Sequence, residues 1–225
     1  MAISAPSVDG EQKRSIGEIL RADIRRGRYH PRERLVEAEL AEHYGVKRSA
    51  VRAALLELAA EGVVERLPNR GARVRSVSID EAIEITETRL RLQAMCAAKA
   101  AERGTAEQRE ALRRDIDSLR AAVAANEQSE YVGANARILT RIREMGGHST
   151  ANRIIEQLYN QNAPQVFPFM LPERRFESMR EFEAMVEAVV SGNAGDAYDA
   201  TVTHMEHVLA ALRRIRDGAA DPRTR

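Results

Sequence analysis

From residue 16 the apolar side chains recur at three- and four-residue intervals: Ile16, Ile19, Leu20 and Ile24 share one helix face, and Gly27 supplies the stop. After a turn around Pro31, "EAELAEHYG" reads as a short second helix with Leu40 and Ala41 inward, closed at Gly45. Val51, Leu55 and Leu58 form the core stripe of a third helix from about Lys47 to Glu61. The period then changes. "VVERL" and "ARVRSV" favour strands, and "PNRG" between them carries the turn chemistry of a hairpin. Three helices and a β-hairpin predict a winged helix-turn-helix over residues 11–77.

Beyond Ser78 strand signals almost vanish, and long Ala-rich patterns decorated with Arg and Glu take over. "SIDE" is a capping box opening a helix that runs to about Gly104, and "TAEQ" offers a second cap at Thr105. Further helices are expected at 106–125, 129–145, 149–160, 173–191 and 196–217, with "APQVFPFMLP" as a proline-punctuated connector and "DGAADPRTR" as a frayed tail. The fold class is therefore mainly α: the winged domain followed by an all-α antiparallel helical bundle over residues 78–217.

Net charge changes this picture little, because 35 basic and 34 acidic residues nearly cancel, but its distribution does. Glu11 to Val77 holds 15 Lys/Arg against 10 Asp/Glu, whereas Ser78 to Arg225 holds 20 against 23. The amino-terminal third is the basic part. The single cysteine, Cys96, sits in an apolar run as a small core residue, which excludes an internal disulfide and fits a reducing compartment. The chain shows no 18-residue apolar run and no secretory leader, so a cytoplasmic location and no membrane partner are expected.

Lys47, Arg48 and Arg52 crowd the first turn and a half of the third helix, against a dipole that favours carboxylates there. An anion outside the chain explains the placement. The stretch "ERLVEAELAEHYGVKRSAVRAALLELAAEGVVERLPNRGARV" resembles the DNA-binding domain of GntR-type transcriptional regulators in its "LAE", "GV", "VR-AL", "EG" and "RG" elements. Two departures are Pro31-Arg32 for the usual Pro-Gly, and Ala53 at an often acidic position. The resemblance implies major-groove entry by the helix start, with Arg48 or Arg52 reading guanine, Lys47 and Ser49 holding phosphates, and Arg70 and Gly71 at the wing tip.

The remainder is similar to the effector-binding and dimerisation domain of the FadR-type branch, the FCD domain, with "ITETRLRLQAMCAAKAAERGT" and "MREFEAMVEAVVSGNAGDAYDATVTHMEHV" as its anchors. In many members an Asp, a His four residues on and two further His hold a divalent metal. Here those positions carry Asn135, Leu139, Phe182 and His204, so no metal and no other cofactor are expected. His204 and His207, three apart, read as hydrogen-bonded helix residues. A cavity with more apolar walls is implied, with an inward Arg89 orienting a carboxylate and Asn135, His148 and His204 offering neutral hydrogen bonds.

The sequence thus reads as a homodimeric, sequence-specific transcriptional repressor that binds a short palindromic operator in double-stranded DNA. A small organic-acid effector controls it. The alternative is an architectural DNA-binding protein whose bundle only dimerises. An enzyme is disfavoured, since no nucleophile elbow, phosphate loop or metal tetrad is present in the sequence.

Overall fold

Ser15 starts the first helix by a reciprocal cap: its Oγ accepts from the Glu18 amide at 3.2 Å, and Glu18 accepts from the Ser15 amide at 2.8 Å. In this computed structural model the described residues are 15–25, 27–67, 71–161 and 174–218. The expected connector, the tail beyond Gly218, and Arg70 lie outside them. The chain forms two units, residues 1–76 and 77–225.

In the first unit α1 (Ile16–Arg25), α2 (Glu37–Tyr44) and α3 (Arg48–Ala60) enclose one core with a small sheet. Leu20, Ile24, Val51, Leu55 and Leu58 meet Leu35, Val64 and Val74 there. Arg21 ties α1 to the end of α3 through Glu61, at 2.8 Å from its Nε. The sheet has three strands rather than the hairpin's two: β1 (Arg34–Leu35) lies against β3 (Gly71–Val74), which pairs on its other side with β2 (Val64–Leu67), all antiparallel. A two-residue strand leaves no periodic trace in the sequence. Gly71 opens β3 opposite Leu67 rather than forming a tip. At φ 82° a Cβ there would lie 2.5 Å from the Leu35 carbonyl oxygen, so the position admits glycine alone. Where a Pro-Gly is usual, Arg32 adopts φ 68°, the left-handed conformation that glycine takes without strain.

The second unit is helical throughout its described residues: α4 (Ile79–Arg103), α5 (Ala106–Ala124), α6 (Gln128–Gly146), α7 (Ser149–Gln161), α8 (Arg174–Ser191) and α9 (Ala194–Arg216). Ser78 accepts from the Glu81 amide to start α4, and Thr105 with Gln108 forms a full capping box on α5. Alanines 97, 100 and 101 on α4, fully or almost fully buried, let α5, α6 and α8 close around Leu112, Ile138, Phe182 and Met185. α9 packs along α4 through Ile83, Leu90, Met205, Leu209 and Leu212. Arg109 fastens helix ends that the sequence pattern leaves loose. Its guanidinium donates to the carbonyls of Ala101 in the last turn of α4, of Gly104 just after it, and of Val189 and Val190 in α8, satisfying C-terminal oxygens that have no intrahelical partner.

Candidate functional site

The amino-terminal end of α3 gathers exposed cations. Gly45, at φ 64°, turns the chain after α2, and Lys47 sits at the N-cap with no side-chain cap. No acidic residue occupies the first turn of α3, leaving its amides and positive dipole end uncompensated from within the helix. Lys47, Arg48, Ser49 and Arg52 are all exposed. Arg52 is held rather than free: its Nε and NH2 donate to both oxygens of Glu37, at 2.8–3.1 Å. That hydrogen bond, then burial acting against it, then the charges of Arg52, Arg66 and Arg48, leave the Glu37 pKa lowered. Glu37 and the exposed wing-strand Arg66 are parts of this face that sequence reasoning missed, because α2 and β2 approach α3 only in the fold.

The bundle encloses a cavity of about 180 Å³ lined by Asn135 and Leu139 of α6, Ser178 and Phe182 of α8, and His204 and Leu212 of α9, with Arg174 and Arg175 from the first turn of α8. Four of the six residues expected at the effector site therefore meet on one cavity: Asn135, Leu139, Phe182 and His204. The volume lies below the ~300–1,000 Å³ of drug-sized sites and suits a small molecule. Among the described residues the buried Asn135 Oδ1 has no hydrogen-bond partner.

The His204 ring packs against Phe182 at 4.6 Å between centroids, tilted by 52°, and its Nδ1 bonds Glu181 at 2.7 Å. Burial lowers the His204 pKa against the hydrogen bond and charge of Glu181, and the neutral ring, donating from Nδ1 to that carboxylate, has Nε2 as its acceptor. Glu181 also accepts from His207 Nδ1 at 2.7 Å and from Arg174 at 3.0 Å. Burial works against its charge, but hydrogen bonds from His204 and His207 with the Arg174 cation prevail, and its pKa is lowered to about 2. A metal does not fit this set. Leu139 and Phe182 have no donor atoms, and no group of three His, Cys, Asp or Glu residues able to hold a metal occurs among the described residues.

Arg89 and His148 are not among the residues lining this cavity. His148 caps α7, its Nδ1 accepting from the Ala151 amide at 3.2 Å. Arg89 is buried on α4 with its guanidinium 3.6 Å above the Tyr159 ring, a stacking that the spacing of α4 alone does not reveal. Its charge is nevertheless felt at His204, whose pKa it helps lower.

Comparison with known proteins identifies the family of each of the two domains. Residues 12–74 match the family model described as bacterial regulatory proteins, gntR family, and residues 84–207 match the FCD domain. The HTH-type transcriptional repressor GlaR of Escherichia coli is 35% identical over 85 residues, spanning 38% of this chain and 39% of that protein. The HTH-type transcriptional repressor RspR of the same organism is 23% identical over 218 residues, or 92% of this chain and 91% of that protein. Among solved structures, E. coli McbR/YncC superposes with a TM-score of 0.79 at 22% identity, covering 89% of this chain and 96% of that one. A putative GntR regulator from Rhodococcus gives 0.71 at 21% identity, with 88% and 95% covered. No helix among the described residues is long and apolar enough to cross a membrane. The chain belongs to the gntR family of bacterial regulatory proteins, in the branch that carries an FCD domain.

Proposed function

We propose that this DNA-binding regulator acts as a homodimeric repressor of a short palindromic operator and is released by a small organic acid bound in its helical domain. The observation that carries the effector half is the cavity itself, whose Leu139, Phe182 and Leu212 walls suit hydrocarbon while Asn135 Oδ1 and neutral His204 supply polar contacts. Arg89 orients the acid group from the α4 side. In the winged domain Arg48 or Arg52 reads bases, and Lys47 and Ser49 hold phosphates, with Arg70 and Gly71 at the wing. Glu37 keeps the Arg52 guanidinium ordered before DNA arrives, so that less side-chain freedom is lost on binding.

Release requires the effector to bind two states of the protein unequally, and a tenfold loss of operator affinity needs about 1.4 kcal/mol of coupling. The test is anisotropy titration of a selected duplex with and without candidate acids. A bundle that only dimerises would leave the curve unmoved by every acid that stabilises the protein.

A further inference from the structure

Two arginines in the bundle are buried without a counter-ion. Arg89 on α4 and Arg143 on α6 are each 8% exposed, and among the described residues neither forms an ion pair with a carboxylate. They share one aromatic ring: Tyr159 of α7 lies 3.6 Å from the Arg89 guanidinium and 5.3 Å from that of Arg143. The Arg89 Nε finds no acceptor. Arg143 donates only to the Thr140 hydroxyl among the described residues, at 3.2 Å. Gln93, one helical turn from Arg89 and 3% exposed, donates to the Tyr159 hydroxyl at 3.0 Å while its Oε1 has no partner.

Such an arrangement is costly as a purely structural device. Burial disfavours the Arg89 charge, and the repulsion from Arg143 adds to it, with Tyr159 only partly offsetting both. A carboxylate at position 93 would have cancelled one charge from the same helix face. The neutral amide leaves both in place, beside an acceptor atom that can take a hydroxyl proton.

We infer that Arg89, Arg143 and Gln93 form a receptor for a doubly charged oxyanion carried by the effector, a phosphate monoester or two neighbouring carboxylates, with Gln93 Oε1 accepting from an O–H on the same ligand. The inference rests on the reading that the bundle binds an acidic effector, and it narrows that effector to a dianion. Arginine supplies parallel donors to such oxygens, and the low local dielectric strengthens each bond.

The experiment is calorimetry and thermal unfolding of the full chain with inorganic phosphate and with succinate, against acetate and chloride at matched ionic strength. At least one dianion binds the parent and raises its unfolding midpoint above the chloride value, and acetate does not. Arg143→Gln weakens that binding about tenfold, yet its midpoint in chloride equals or exceeds the parent's because a like-charge repulsion is gone. Gln93→Glu supplies an internal counter-ion, raising the midpoint in chloride and removing the dianion response. If Arg143→Gln does not fold, Gln93→Glu decides alone. Parent midpoints that no dianion raises, or a Gln93→Glu variant that is less stable in chloride and titrates like the parent, would overturn the inference. DNA is absent from these measurements, so a chain that binds dianions but no operator keeps this inference and loses the regulator reading.

Discussion

In the winged unit Arg52 stands in water with its side chain 63% exposed and grips a carboxylate; in the bundle Arg89 and Arg143 are withdrawn from water and grip none. Solvation alone would favour the reverse, since a buried cation needs a counter-charge and an exposed one does not. On the proposed function, the difference corresponds to two kinds of binding face. At the first, an internal partner orders a long side chain cheaply and can be exchanged for a base edge, because an exposed ion pair contributes only about 0.2–1 kcal/mol. At the second, the missing partner is what gives a ligand its advantage.

The largest effects should come from the exposed side. Arg48→Ala and Arg52→Ala weaken operator binding, with at least one relaxing base preference at a cost of about 1–3 kcal/mol, whereas Lys47→Ala weakens all duplexes alike. Titration against single-base variants at fixed salt checks this. Unchanged affinity in both arginine variants would remove the recognition-helix assignment. Glu37→Gln sharpens the comparison: it takes a negative charge from the face, so binding to random duplex strengthens while the margin between operator and random duplex narrows. On the buried side, Arg89→Ala abolishes the effector response and leaves unliganded operator affinity near the parent's, a split read by running both titrations.

Acid should act through the bundle before it acts through the salt bridges. His204 has its folded pKa below the ordinary 6.5, so the unfolded chain takes up a proton that the folded one refuses. Its contribution is full above pH 6.5 and is lost as pH falls from there. Glu181, lowered from 4.5 to about 2, contributes fully above 4.5 and loses that contribution as pH falls toward 2. Urea midpoints between pH 7 and 5 should decline in the parent and decline less in His204→Gln; equal slopes would detach His204 from the effect. The smallest change is Arg32→Gly, which relieves the left-handed backbone at φ 68° and should stabilise the chain by about 0.5–1 kcal/mol, offset in part by the freer unfolded state. A lower unfolding midpoint would mean that the Arg32 side chain contributes more than its backbone costs.

Much of the fold was legible because its signals are local. Ser78 and Thr105 announce helix starts within four residues, and the Gly45 turn and the stripe of Val51, Leu55 and Leu58 mark the helix-turn-helix without reference to the rest. β1 escaped because two residues have no period, and Arg109 because its carbonyl partners in α8 lie about eighty residues away. The cavity was legible at the four positions where α6, α8 and α9 converge, through a family pattern whose ligands are replaced by Asn135, Leu139 and Phe182. Arg143, Gln93 and Tyr159 were not. Each is ordinary on its own helix, and their meaning lies in α4, α6 and α7 turning those faces toward one another.

The proposed function has the start of α3 reading a symmetric DNA site in a protein that acts in pairs. The most direct measurement is selection of duplexes bound by the full chain from a random pool, followed by titration of the enriched site at a fixed salt concentration. The account predicts a short motif with two-fold symmetry, bound more tightly than random duplex and lost on Arg52→Ala. Enrichment of no motif, or of one that Arg52→Ala binds as tightly as the parent does, would contradict it.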